Sequence, residues 1–75
     1  MESPSPNSET QITVNGTRQS IPEDCNVQAL LGMLGMEGKR VAVALNRNVV
    51  PRSEYHSARI AGGDRIEILE AVGGG

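Results

Sequence analysis

Polar and apolar residues alternate over several short stretches of the chain, and a period of two is typical of β-strands with one buried face. The first stretch, residues 11–14, is followed by Asn15-Gly16. That dipeptide suits a type I′ turn, because both central residues of the turn need a positive φ. Residues 17–21 then read as the returning strand, which Pro22 ends. The pattern therefore predicts an N-terminal β-hairpin.

After the hairpin the apolar period changes to that of an amphipathic helix. Four apolar residues fall at i, i+3, i+4 and i+7 and so share one helical face. They are Val27, Leu30, Leu31 and Leu34. Asn26 is suited to cap the N-terminus, and Gly35 or Gly38 can supply the left-handed residue that ends a helix. We therefore expect one main helix after the hairpin.

Strand-like alternation returns in residues 40–46 and divides their side chains between two faces. One face carries Val41, Val43 and Leu45, and the other carries Ala42 and Ala44. Residues 46–48 read as a tight turn into a short strand at 49–50, which Pro51 stops. The mixed pattern of residues 52–61 indicates a turn with a short helical piece. Residues 62–64 predict a turn before a last strand at 65–69, with Ile66 and Ile68 inward.

This order of elements predicts an α+β fold, a β-grasp or ubiquitin-like roll. We expect a mixed sheet of about five strands with one main helix on one face, and the Ile-rich last strand at the centre, parallel to the first. The predicted core is aliphatic. It comprises Ile12, Val14, Val27, Leu30, Leu31, Leu34, Val41, Val43, Leu45, Ile66 and Ile68.

The two ends of the chain differ from this middle part in composition. Residues 1–10 contain two prolines, three serines and no large apolar residue after Met1, so we expect a disordered tail. Residues 11–70 form the predicted β-grasp domain. Residues 71–75 end in three glycines and are expected to be a flexible tail.

Composition excludes several classes of function. The net charge is −2 and Tyr55 is the only aromatic residue, so the basic stripe and stacking rings of a nucleic-acid binder are missing. A single cysteine excludes an intrachain disulfide framework. No apolar run approaches about 18 residues, and no signal peptide is visible, so neither a membrane span nor secretion is expected. We expect a cytoplasmic protein that is a monomer when free.

No arrangement of residues typical of an enzyme site, and no metal site, is visible in the chain. His56 has no recognisable acidic partner and is interpreted as an exposed loop residue. Cys25 precedes the predicted helix, where a thiol can be reactive, but a lone cysteine is more often a small apolar filler.

The C-terminus has the chemistry that the rest of the chain lacks. One interpretation is a frayed end or a cloning scar without function. The other is an arm that reaches into the buried site of a partner protein. Gly73, Gly74 and Gly75 have no Cβ, so their backbone fits a channel too narrow for side chains. At the tip is an α-carboxylate, ionised at neutral pH. Such a group accepts a sulfur nucleophile only after adenylation by ATP, which would make the chain a protein co-substrate and not an enzyme.

Three segments together resemble the ThiS family of sulfur carriers of thiamine biosynthesis. They are VALNRNVVPRSE at residues 43–54, GDRIEI at 63–68 and AVGGG at 71–75. The resemblance covers residues 11–75. It departs from the family in the additional N-terminal residues, and in Tyr55 where members often have tryptophan.

The resemblance implies a set of partners. An E1-like adenylyltransferase of the ThiF type would activate Gly75 with Mg-ATP, a cysteine desulfurase would supply sulfur, and a thiazole synthase of the ThiG type would receive it. The chain itself would bind no cofactor. Three alternatives share parts of this pattern: the small subunit of molybdopterin synthase, a ubiquitin-like protein modifier, and an interaction module with an inert tail.

A docking face follows from the predicted strand faces. With Val41, Val43 and Leu45 toward the helix, the opposite face carries Ala42, Ala44 and Leu69. Such a face suits a flat partner surface, with Arg52 and Arg65 as rim charges. Alternatively, single exposed apolar residues need no functional explanation.

Overall fold

The computed structural model describes residues 9–70 of the 75-residue chain. The strands are β1 Glu9–Val14, β2 Thr17–Pro22, β3 Val41–Leu45, β4 Asn48–Val50 and β5 Arg65–Glu70. The helix α1 is Val27–Met33, and a 3₁₀ turn spans Arg52–Glu54. The strand order in the sheet is β2-β1-β5-β3-β4, with β5 parallel to β1 and antiparallel to β3. The mixed five-stranded sheet with one main helix confirms the predicted architecture.

Both ends of α1 follow the sequence signals. The Asn26 Oδ1 accepts a hydrogen bond from the Ala29 N–H at 2.8 Å, as expected of an N-cap. Gly35 has a φ of 73° and follows the C-cap residue Leu34. The Met36 N–H bonds to the Leu31 carbonyl and the Gly35 N–H to the Gly32 carbonyl, which is a Schellman motif. Of the two predicted glycines, Gly35 therefore ends the helix.

One core lies between α1 and the covered face of the sheet. Most predicted core residues are buried, and the others are partly buried against the same cluster: Val14, Leu34, Val41 and Leu45. Four buried residues were not predicted as core, namely Ile21, Cys25, Tyr55 and Ile60. Tyr55 is fixed by a hydrogen bond from its hydroxyl to the Val41 carbonyl at 3.2 Å.

The strand β1 begins at Glu9, two residues inside the segment predicted to be disordered. Glu9 pairs with Pro22 and Thr10 with Ile21, so β2 is long enough to provide both with a partner. Thr10 also approaches Gly62 so closely that a Cβ on that glycine would collide with its hydroxyl. The predictions for residues 1–8 and 71–75 lie outside the described residues.

Candidate functional site: the open face of the sheet

The helix covers one face of the sheet, and the other face is open to solvent. Because side chains alternate along a strand, each strand that contributes to the core also contributes to this open face. Its residues surround a shallow depression of about 840 Å³. They include Thr13, Ala42, Ala44, Val49, Arg65, Glu67 and Leu69.

The apolar part of the open face is continuous across three strands. Leu69 on β5 pairs with Ala42 on β3, and Ala44 on β3 pairs with Val49 on β4. The side chains of Leu69 and Val49 are 73% and 76% exposed, the highest values among large apolar residues of the described chain. Since these residues are neighbours, they form an apolar patch and not scattered single side chains. Ala42, Ala44 and Leu69 therefore lie together, as the strand pattern predicted.

The two predicted rim arginines lie at different ends of this patch. Arg65 begins β5 and pairs with Thr13 of β1. Arg52 lines a second depression with Leu69 and Glu70, where β5 ends. Glu70 also forms a salt bridge with Lys39 at 3.6 Å, although both side chains are about half exposed, so this pair adds little stability.

Sequence reasoning missed Val49, Glu67 and Thr13 as parts of this face. For Glu67 and Thr13 the signal was available, since each alternates with predicted core residues along its strand. For Val49 it was not, because the face of a strand as short as β4 depends on its register with β3.

The remaining polar candidates do not form a catalytic arrangement. Cys25 is 3% exposed, and its thiol donates to the Asn26 carbonyl at 3.4 Å. Burial raises the pKa of the Cys25 thiol above its ordinary value, so the apolar-filler interpretation is the one that fits. His56 is exposed, and its carbonyl accepts a hydrogen bond from Asn26 Nδ2.

Residues 9–70 contain no group of three or more His, Cys, Asp or Glu that could hold a metal ion. No helix in this range is long and apolar enough to cross a membrane. The three C-terminal glycines follow soon after the end of β5 in the sequence, beyond the described part of the chain.

Comparison with known proteins identifies the family. A model described as the ThiS family matches residues 8–75. The chain belongs to the ThiS family. The crystal structure of the thiamine biosynthesis protein ThiS from Geobacter metallireducens superposes with a TM-score of 0.76 at 33% identity and covers 88% of this chain and 100% of that one. This ThiS structure confirms the β-grasp fold.

Two curated relatives give the family a functional context. The sulfur carrier protein ThiS of Bacillus subtilis is 37% identical over 49 residues, covering 65% of this chain and 74% of that protein. A thiazole synthase of Paramagnetospirillum magneticum is 37% identical over 65 residues, covering 87% of this chain. The chain spans only 20% of that thiazole synthase. Sulfur carriage and thiamine biosynthesis, both predicted from the sequence, are what the ThiS relatives are named for.

Proposed function

We propose that this chain is a sulfur carrier of thiamine biosynthesis that acts as a protein co-substrate through the carboxylate of Gly75. The observation that carries the proposal is the extent of the family match, which runs through residue 75 and so includes all three terminal glycines. The open face supports it as well, because a carrier needs a surface by which its partners recognise it.

The chemistry has three steps, which take place on partner proteins. One oxygen of the Gly75 carboxylate attacks the α-phosphorus of Mg-ATP, pyrophosphate leaves, and an acyl-adenylate remains. The terminal sulfur of a persulfide then attacks the acyl carbon, and AMP leaves with the bonding electron pair. The thiolate of a reductant then attacks the donor cysteine's sulfur in the resulting acyl disulfide, so that a new disulfide forms and the thiocarboxylate of Gly75 leaves with the electron pair of the broken S–S bond.

Three partners are needed for this cycle. An E1-like adenylyltransferase of the ThiF type binds ATP and magnesium, and a cysteine desulfurase supplies the persulfide. A thiazole synthase of the ThiG type accepts sulfur for the thiazole ring. The similarity to proteins named thiazole synthase supports this last partner, because in those relatives a segment like this chain belongs to the same polypeptide.

We propose that the chain docks on the adenylyltransferase through its open face. Ala42, Ala44 and Leu69 would contact it directly, and Arg52 and Arg65 would pair with charges at its margin. Ala44→Arg puts a long cation into the patch and should weaken binding while the fold is kept. Ala29→Arg is the matched control, because Ala29 lies on the exposed side of α1.

The position of the terminal carboxylate gives the sharpest test. Adding one alanine after Gly75 moves the carboxylate by about 3.5 Å and adds a methyl group, and near-attack geometry does not tolerate such a shift. Removing Gly75, or changing Gly74→Val to block the channel, should also abolish the reaction. The measurements are ATP–pyrophosphate exchange with the adenylyltransferase and the intact-mass change for replacement of oxygen by sulfur.

The controls separate chemistry from folding. Each tail variant should unfold at the same temperature as the parent chain, since its change lies beyond the last strand. Deletion of residues 1–8 should leave adenylation unchanged. If the chain lengthened by alanine is adenylated and sulfurated as efficiently as the parent, Gly75 is not the reacting residue and the proposal fails.

A further inference from the structure

The chain contains two hairpins with the same kind of turn but different residues in it. Both have two-residue loops, closed by the pairs Val14 with Thr17 and Leu45 with Asn48. In the first, Asn15 and Gly16 have φ values of 52° and 85°. In the second, Asn46 and Arg47 have φ values of 50° and 74°. Glycine is suited to the second position of such a turn, whereas arginine is strained there by its Cβ.

The first residue of the second turn has a clear structural role. The Asn46 Oδ1 accepts the Arg65 N–H at 2.9 Å, and its Nδ2 donates to Asp64 Oδ1 at 3.0 Å. These bonds join the turn to the start of β5. Asparagine also tolerates the left-handed conformation better than most residues do. Asn46 is therefore explained by the fold.

Arg47 has no comparable role. Its side chain is exposed, and within residues 9–70 it makes no hydrogen bond and no salt bridge. An arginine held in an unfavourable backbone conformation, with no polar partner among residues 9–70, points to a requirement outside this part of the chain.

The surroundings of Arg47 indicate what that requirement is. Arg47 lines a notch with Asn46, Gly63 and Arg65, and Arg65 also lines the depression of the open face. Thr13 of β1 pairs with Arg65 of β5 on one side and with Arg18 of β2 on the other. Arg18 is therefore a further arginine at the same level of the sheet. Neither Arg18 nor Arg65 forms a salt bridge with any carboxylate of residues 9–70. Three arginines therefore lie near two carboxylates, those of Asp64 and Glu67, so this end of the open face is positive on balance although the net charge of the chain is −2.

We propose that Arg47, together with Arg65, binds carboxylate side chains of the protein that docks on the open face. This inference rests on the proposed function, because it takes the docking partner to be the adenylyltransferase. With this contact, the surface that meets the partner runs from the apolar patch, around the end of the sheet, to the turn between β3 and β4. Arg47 thus serves as a positioning contact and takes no part in the chemistry at Gly75.

A protein surface fits this site better than a small free anion does. Small anions are usually held by several converging backbone N–H groups. Here the Gly63 N–H already bonds to the Gln11 carbonyl, and the Arg65 N–H to Asn46 Oδ1. The groups that remain are the exposed guanidinium groups of Arg47 and Arg65. Each can bind a carboxylate with two parallel hydrogen bonds, and the apolar contact next to them would hold the partner's carboxylates in position.

Three variants separate the charge of Arg47 from its backbone conformation. Arg47→Gln removes the charge but keeps the Cβ, whereas Arg47→Gly removes both. Arg59→Gln is the matched control, because it removes the same charge from an arginine whose only salt bridge within the described part of the chain is an exposed one with Asp24. Binding to a purified adenylyltransferase of the ThiF type is measured by calorimetry at low and high salt, and the thermal midpoint is measured for each chain alone.

Both Arg47 variants should bind about two- to fivefold more weakly than the parent at low salt, and this difference should shrink at high salt. Arg59→Gln should bind like the parent. Arg47→Gly should also melt about 4–8 °C higher than Arg47→Gln, because glycine adopts a positive φ without the steric cost of a Cβ.

The outcomes distinguish this inference from the proposed function. If Arg47→Gln binds as tightly as Arg59→Gln, the Arg47 contact is wrong, whatever Ala44→Arg does. If Ala44→Arg binds as tightly as Ala29→Arg, the docking face itself is wrong. If Arg47→Gly melts no higher than Arg47→Gln, the conformational cost that motivates the inference is absent.

Discussion

The two faces of the sheet are built by the same strands but differ sharply in their exposure to solvent. On the covered face, Ile66 and Ile68 of β5 are 0% and 6% exposed. On the open face, Leu69 of the same strand is 73% exposed and Arg65 lies in solvent at its start. Alternate residues of one strand therefore serve different ends: the first set packs the core, and the second is the surface that we propose for recognition. Substitutions on the two faces should accordingly change different measurements.

The largest effect is expected from a cavity in the core that lies between α1 and the covered face of the sheet. Leu31 belongs to the buried cluster and is 5% exposed. Leu31→Ala should lower the free energy of unfolding by about 2–5 kcal/mol, measured by urea denaturation, because it removes buried methyl groups and leaves a cavity. Such a loss is a large fraction of the stability of a domain this small.

Met33 provides the control within the same helix. It is 48% exposed, so Met33→Ala should change the free energy of unfolding by only about 0.5 kcal/mol. Equal losses from Leu31→Ala and Met33→Ala would contradict the assignment of Leu31 to the core and of Met33 to the exposed side of α1.

A smaller effect is expected at the point where β1 ends beside β5. The Asn15 side chain continues the ladder between these strands, since its Oδ1 accepts the Ile68 N–H at 2.8 Å and its Nδ2 donates to the Ile68 carbonyl at 3.1 Å. Asn15→Gly keeps the positive φ but removes both bonds. The free energy of unfolding should fall by about 1–3 kcal/mol, because the Ile68 groups are partly buried.

Asn46→Gly makes the same substitution in the other hairpin. Its bonds to Asp64 and Arg65 are exposed, so water can replace them, and a loss of about 0.5–1.5 kcal/mol is expected. The comparison is read from chemical denaturation of both variants. A loss for Asn46→Gly as large as that for Asn15→Gly would mean that the burial of the Ile68 groups has no special importance.

The regular parts of this fold could be predicted because their periodicity is unambiguous. The alternation around Val43 and Ile66 indicated which side of each strand faces the helix, and Asn15-Gly16 indicated the first turn. Tyr55 and Ile60 were missed because they lie in the irregular segment between β4 and β5, where neither period applies. Their burial depends on tertiary contacts, such as the bond from the Tyr55 hydroxyl to β3.

The candidate site was predictable to a different extent in each of its parts. Ala42, Ala44 and Leu69 follow from strand alternation alone, whereas Val49 needs the register of β4. The unfavourable conformation of Arg47 could not be predicted, because its φ is known only once the two-residue loop is fixed. The role of Gly75 stays a prediction.

The smallest effect is expected from Cys25, the chain's single cysteine, which is buried in the core between the end of β2 and the start of α1. Burial raises its pKa in the folded chain, so the unfolded chain ionises first as the pH rises. Its stabilising contribution is therefore complete below the pKa of the thiol in the unfolded chain and is lost as the pH rises through the higher pKa of the folded chain, with a slope of at most about 1.4 kcal/mol per pH unit. Cys25→Ala should lack this component, so the stability difference between parent and variant should shift in favour of the variant from neutral pH to about pH 10. Urea denaturation of both chains at each pH measures the shift, and a difference that does not change with pH would show that burial does not protect the thiol.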